Sequence, residues 1–101
     1  MSKLESLFLI GHTHPALPGH FPEAPIVPGV MVLDQVLTKL REHLGFDPVL
    51  LELPQVKFIE PLLPGSVAAI EIEIEAARAR FRVQRDDVMI ANGSVHWQVP
   101  T

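Results

Sequence analysis

The chain has 101 residues, a formal net charge of −4 at pH 7 and no cysteine. The mild acidic charge argues against a general nucleic-acid binder, and the lack of cysteine excludes disulfides and thiolate zinc sites. The length favours one domain, residues 1–101, and no apolar run is long enough to span a membrane, so we expect a cytoplasmic protein.

The first half of the chain predicts a strand, a long irregular segment and one helix. LESLFLI predicts a short strand, and the proline-rich segment GHTHPALPGHFPEAPIVP follows it. Irregular segments of that length are often functional in small domains. A helix is predicted from about Gly29 to Leu44, and it ends at Gly45, where a left-handed cap is usual.

The rest of the chain predicts strands. VAAIEIEIEA alternates isoleucine with glutamate, and RARFRVQR alternates apolar residues with arginine, which is the period of a half-buried strand. If these two strands pair as a hairpin, an acidic row meets a basic row. We interpret the glutamate row as a solvated sheet face and not as a ligand site.

Two further strand segments complete the prediction of an α+β fold, in which one helix packs on an antiparallel sheet. In LLELPQVKF, Pro54 predicts an edge strand or a bulge. In the last strand, Val95, Trp97 and Val99 alternate with polar residues. We expect Trp97 to pack in the core and not to serve as a ligand platform.

The predicted helix carries an aspartate within its apolar stripe. The stripe consists of apolar residues at spacings of three and four, namely Val30, Leu33, Leu37, Leu40 and Leu44. Asp34 shares the face of Val30 and Leu37, where burial would cost several kcal/mol unless the carboxylate had a partner or bordered a cavity. Two explanations stay open: an acid that faces a substrate tunnel, or a structural aspartate at a kink or near the helix dipole.

Three histidines lie upstream of the helix. His12, His14 and His20 could together supply metal ligands, but no clear carboxylate or further histidine accompanies them at ligand spacing, so we expect no metal site. His20 differs from the others because Gly19 and Pro22 restrict the backbone around it. An imidazole held rigidly near a carboxylate is a potential acid–base pair.

Two stretches resemble a known family. HPALPGHFPEAPIVPGVMVLD resembles the signature of the β-hydroxyacyl-ACP dehydratases of fatty acid synthesis, and VKFIEPLLPGSVAAIEIE resembles a later strand pair of the same family. The resemblance implies the hotdog fold, in which an antiparallel sheet wraps one long central helix. The first stretch is more similar to the dehydratases of specialised pathways, such as aryl polyene synthesis, than to the housekeeping enzyme.

The resemblance also implies an activity and its residues. A 3-hydroxyacyl thioester on acyl carrier protein would lose water to give the trans-2-enoyl thioester. His20 and Asp34 would be catalytic, and the Gly29 N–H would bind the thioester carbonyl as oxyanion donor. The acyl tunnel beside the helix would be lined by Val30, Leu33 and Leu37. No cofactor is implied beyond the phosphopantetheine that carries the substrate.

Assembly is implied as well. In the family two subunits join edge to edge, and each site takes its histidine from one subunit and its acid from the other. The resemblance therefore implies a homodimer or a higher oligomer with sites shared between subunits.

The chain departs from the family at three points. The family's leading strand before the HP segment is expected to be missing, Thr38 stands where glutamine is common, and Ser66 replaces the aspartate of PGD. Two alternatives stay open: a hotdog thioesterase that uses a carboxylate to activate water, or a non-catalytic acyl-binding partner subunit. The histidine of GHFP favours the dehydratase over the thioesterase.

Overall fold

The computed structural model describes residues 2–11 and 26–100, which form one helix and five strands. The strands are β1 (Ser2–Leu9), β2 (Val49–Phe58), β3 (Val67–Glu75), β4 (Arg78–Arg85) and β5 (Val88–Gln98), and the helix is α1 (Gly29–Leu44). All strand pairs are antiparallel, in the order β1-β3-β4-β5-β2. The predicted α+β architecture is confirmed. Strand β1 confirms the strand predicted from LESLFLI.

The ends of α1 follow from the residues that flank it. Pro28 is the N-cap, with extended φ and ψ of −57° and 142°, and its carbonyl accepts hydrogen bonds from the N–H of Met31 at 2.9 Å and of Val32 at 3.4 Å. At the other end, Gly45 adopts φ 77° and ψ 11°, and its N–H donates to the Arg41 carbonyl at 3.1 Å. Glycine takes this left-handed conformation at little cost. The predicted helix and its cap are confirmed.

The face of α1 that packs on the sheet differs from the predicted stripe. The fully buried residues of the helix are Val32, Val36 and Leu40, one turn apart, whereas Val30 is 73% exposed. The prediction was right for Leu40 and wrong for Val30. The helix is apolar on more than one side, and periodicity alone does not tell which side the sheet covers.

Strands β3 and β4 form the predicted hairpin. Glu71 pairs with Arg82 and Glu73 with Arg80 in the register, so the acidic and basic rows meet as expected. Arg82 Nη2 donates to Glu71 Oε1 at 3.0 Å. Both side chains are partly exposed, so this pair contributes at most about 1 kcal/mol. The alternating isoleucines turn to the other side and enter the core.

The core lies between α1 and the inner face of the sheet. Its largest fully buried side chains are Phe81, Leu40, Leu62, Ile70, Ile72 and Ile90. Trp97 is also buried, as predicted. Its backbone N–H donates to the Ala77 carbonyl at 3.0 Å, and this hydrogen bond connects the β3–β4 turn to β5. Val99 continues the same alternation in the sequence. It lies beyond the end of β5 and is 59% exposed.

Strand β2 is an edge of the sheet, and its surface is unusually apolar for an edge. Its ladder with β5 shifts register twice, once between Glu52 and Gln55, where Pro54 lies. The predicted edge or bulge at Pro54 is therefore confirmed, because proline cannot donate to a ladder. The exposed apolar side chains of this strand are Val49, Leu50, Leu51, Leu53 and Phe58. Such an edge is open to pairing with another strand.

In the part of the chain that the structure describes, no helix combines the length and apolar character needed to cross a membrane.

Candidate active site at the start of the helix

The first turn of α1 presents backbone N–H groups without helical partners. The first hydrogen bonds of the helix are donated by Met31 and Val32, so the N–H groups of Gly29 and Val30 precede them and have no acceptor within the helix. Pro28 makes no side-chain cap, and the first turn holds no acidic residue. The positive end of the helix dipole is thus not offset by a carboxylate of its own turn. This end suits an oxygen that gains negative charge.

Asp34 is exposed, contrary to the expectation of a carboxylate on the buried side of its own subunit. It follows the buried Val32 by two residues, a rotation of roughly 200° about the helix axis. Within one subunit the carboxylate therefore avoids the desolvation cost that burial would bring. It lies on the side of Val30, facing away from the sheet.

The two structural explanations for Asp34 find no support. The helix runs without interruption from Gly29 to Leu44, so no break marks a kink at Asp34. Asp34 is also outside the first turn, which holds no acid, and the dipole effect falls off within that turn. Asp34 lies five residues after Gly29, about 7.5 Å further along the helix axis. A short acyl thioester bound at the first turn could span such a distance.

The other predicted site residues divide into two groups. Val30 is exposed, and Leu33 and Leu37 are half-buried and pack against the edge of the core, so these three side chains keep apolar surface on the Asp34 side of the helix. His20 lies outside the described residues, as do His12 and His14. The predicted His20–Asp34 pair therefore stays a prediction.

The metal alternative rests on those same three histidines. Among residues 2–11 and 26–100 there is no group of three or more His, Asp or Glu side chains that could hold a metal ion. The described residues thus offer no second location for one.

Two depressions on the described part of the chain lie away from the helix, and the first is the larger of the two. It has a volume of about 720 Å³ and is situated on the outer face of the sheet, where its lining includes Arg78, Arg80, Glu73 and His96. A smaller one of about 310 Å³ lies nearby, between β1 and β4. No helix residue lines either depression. The predicted acyl tunnel at Val30, Leu33 and Leu37 coincides with neither of these two depressions.

One residue next to the site was missed by sequence reasoning. Phe58, at the end of β2, packs its ring against Gly29. In the sequence, the VKF motif that contains Phe58 indicates only a strand pair that resembles one of the dehydratase family. Because the two residues are 29 positions apart, no local periodicity could have predicted their contact.

The fold and the helix terminus define a class: the α+β proteins in which an antiparallel sheet wraps one long helix. Comparison with known proteins gives the family. The chain matches the ApeI-like family, described as ApeI dehydratase, over residues 2–94. This chain therefore belongs to the ApeI-like dehydratase family.

Characterised relatives agree with this assignment. The 3-hydroxyacyl-[acyl-carrier-protein] dehydratase FabZ of Natranaerobius thermophilus is 33% identical over 98 residues, which cover 85% of this chain and 69% of that protein. FabZ of Clostridium perfringens is 31% identical over 67 residues, 59% of this chain and 48% of that protein. The chain thus spans about half the length of that curated relative.

Solved structures confirm the hotdog fold. A chain of the dehydratase heterocomplex ApeI:P from Xenorhabdus doucetiae matches with a TM-score of 0.84 and 24% identity, covering 96% of this chain and 88% of that one. The fluoroacetyl-CoA-specific thioesterase FlK also matches, with a TM-score of 0.65 and 17% identity over 96% of this chain and 90% of that one. Since both a dehydratase complex and a thioesterase share the fold, the fold alone does not select the reaction.

Proposed function

We propose that this protein dehydrates a 3-hydroxyacyl thioester, carried on the phosphopantetheine of acyl carrier protein, to the trans-2-enoyl thioester. The observation that carries the proposal is the family match over residues 2–94. The helix start supports it, because the N–H groups of Gly29 and Val30 have no acceptor within the helix and Asp34 presents an exposed carboxylate on the same helix. The reaction would serve fatty acid or aryl polyene synthesis and take place in the cytoplasm.

In the proposed reaction the Gly29 N–H and the helix dipole polarise the thioester carbonyl. His20 takes the proton from the carbon next to that carbonyl, and an enolate-like state forms. The bond between the third carbon and its hydroxyl oxygen then breaks. Asp34 helps to pass the proton that His20 took to the departing hydroxyl, which leaves as water, and the double bond remains. One proton and one hydroxyl are removed and no electrons are exchanged, so the elimination calls for no metal or redox cofactor.

The proposal includes a homodimer or a higher oligomer that completes the site. Asp34 and Val30 point away from the core of their own subunit, and β2 offers an apolar edge. A second subunit paired along β2 would extend the sheet and cover apolar surface that a small domain leaves exposed. Its surface would close the tunnel beside Leu33 and Leu37, and its His20 would meet Asp34 of the first subunit.

A second candidate has an observation in its favour. The similar chain from Xenorhabdus belongs to a heterocomplex, and Thr38 stands where the resembling family commonly has glutamine. The present chain could thus be a non-catalytic acyl-binding subunit beside an active partner. A thioesterase is the other alternative, in which Asp34 would activate a water molecule.

One experiment separates the three candidates. The pure protein is incubated with 3-hydroxyacyl carrier protein, and the carrier is analysed by intact-protein mass spectrometry. The dehydratase proposal predicts the loss of one water from the carrier-bound acyl group. Release of the free acid would identify a thioesterase, and an unchanged carrier would favour the binding subunit. Either of the last two results would overturn the proposal.

A further inference from the structure

The ring of Phe58 occupies the space that a side chain at position 29 would need. A Cβ atom built on Gly29 would lie 2.8 Å from Cζ and 2.9 Å from Cε1 of Phe58. Carbon atoms pack at about 3.5–4.0 Å, so no larger residue fits there without moving the ring. A side chain at position 29 would thus have to displace the Phe58 ring, whether or not a substrate is bound.

The backbone around Phe58 is attached to the sheet and to the segment that enters the helix. Phe58 pairs with Ala91 of β5, and the N–H of the next residue, Ile59, donates to the Ile90 carbonyl at 2.8 Å. Further along, the Leu62 carbonyl accepts the N–H of Val27 at 2.8 Å. These bonds hold the end of β2 and the start of α1 in one relative position.

The ring is also open to its surroundings. Phe58 is 52% exposed, although its ring packs against the helix start. A half-exposed aromatic ring that packs on Gly29 forms a wall beside the N–H groups of the first turn, which have no acceptor within the helix.

We propose that Phe58 is a positioning residue of the site. Its ring sets the location of the first turn of α1, and with it the direction of the Gly29 N–H, and it forms one wall of the space for the thioester. Residue 29 is glycine because Phe58 fills the adjacent volume. The consequence for catalysis rests on the proposed dehydratase function, whereas the contact itself does not.

A double-mutant cycle tests the proposal, with Gly29→Ala, Phe58→Ala and the combination. Alanine keeps the N–H of residue 29, so the proposed donor is retained and only its position changes. In the wild-type background we expect Gly29→Ala to lower kcat about tenfold or more with little change in KM. In the Phe58→Ala background the same change should cost much less, as for residues in direct contact. Phe58→Leu replaces Phe58→Ala if the latter does not fold.

The control uses an aromatic residue at the opposite end of α1 from Gly29. Phe46 lies just beyond the C-terminal end of α1, so Phe46→Ala should give no relief of the Gly29→Ala defect. If Gly29→Ala is equally harmful with and without Phe58, the proposal is overturned, because glycine is then needed for another reason.

Thermal unfolding of the same four proteins separates this inference from the proposed function. The contact predicts that Gly29→Ala lowers the Tm of the wild type more than that of the Phe58→Ala variant. If wild-type protein showed no dehydration but the Tm values kept this pattern, the proposed function would fail while the Phe58–Gly29 contact stood. Equal losses of Tm in both backgrounds would refute the contact itself.

Discussion

At the scale of single residues, Asp34 is the side chain whose placement bears most on function. It sits on a helix whose core contacts are made by Val32, Val36 and Leu40, and it faces away from them. An exposed carboxylate contributes little to the stability of its own subunit. The catalytic role that we propose for it would lie in contacts made outside the subunit core, with substrate or with a second chain.

Asp34→Asn is expected to keep the fold and lose the activity. The amide has nearly the same shape and removes no core contact, so the Tm should stay close to that of the wild type. The turnover of 3-hydroxyacyl carrier protein should fall by about 10²–10⁴-fold, as for the loss of a general acid–base group. His20→Ala should have a similar effect on turnover.

The matched control is Glu42→Gln, which neutralises another exposed carboxylate of the same helix, paired only weakly with Lys39 at 3.8 Å. We expect near-normal turnover for this variant. Near-normal turnover for Asp34→Asn as well would show that the assigned acid is wrong.

At the scale of elements, the contact between β5 and the edge strand β2 depends on one glycine. Gly93 pairs with Val56 across the β2–β5 ladder and with Phe81 across the β4–β5 ladder. A Cβ atom there would collide with the Gln55 carbonyl oxygen and would lie 2.9 Å from the Phe81 ring. Backbone and buried ring cannot both move aside cheaply, because interiors are close-packed.

Gly93→Ala is therefore expected to destabilise the protein by about 1–3 kcal/mol, the usual range for overpacking. Chemical unfolding measures this value. Gly11→Ala is the control, since no atom of the described residues lies within 4 Å of a Cβ at that position. This variant should change the free energy of unfolding by less than about 1 kcal/mol, in the stabilising direction. Equal stability of the two variants would contradict the close approach of β2 to β5.

At the scale of the whole molecule, the sheet has two edges that differ in character. Both carry exposed apolar side chains, including Leu7 and Leu9 on β1 and Leu50 and Leu53 on β2. The β2 edge reaches the helix start through Phe58, whose ring packs against Gly29. A two-fold partner placed there would also reach Asp34, and this is why the proposed dimer uses β2.

Light scattering should accordingly give a mass of at least twice the 11.2 kDa of one chain at micromolar concentration. Leu53→Glu, which puts a charge on the β2 edge, is expected to shift the protein toward monomers. Leu7→Glu puts the same charge on an equally apolar position of the β1 edge and should leave the dimer intact. A wild-type monomer, or dissociation caused by Leu7→Glu alone, would count against pairing along β2.

The proposed sharing of the site between two subunits predicts complementation between two inactive variants. When His20→Ala and Asp34→Asn subunits exchange, each mixed dimer has one site that carries both lesions and one that carries none. Random exchange makes about half of the dimers mixed, so about a quarter of wild-type activity should return. A mass-tagged subunit confirms that exchange took place. Verified exchange without recovery would show that each chain supplies its own His20 and Asp34.

Much of this protein follows from relations between near neighbours in the chain. The span of α1 and its end at Gly45 were predicted correctly, because a glycine cap acts within one turn. The β3–β4 hairpin was predicted because alternating residues such as Ile72 and Glu73 take opposite sides of a strand. Gly29 and Asp34 were selected as site residues from a continuous motif.

Other features depend on residues that only the folded chain brings together. The choice of Val32, Val36 and Leu40 as the buried face of the helix, and the exposure of Asp34, depend on where the sheet lies. The contact of Phe58 with Gly29 joins two elements that are far apart along the chain, so no periodic pattern in the sequence predicts this contact. Local hydrogen bonding and alternation act between neighbours in sequence. Burial depends instead on which distant segment packs against a residue, and only the tertiary structure determines that packing.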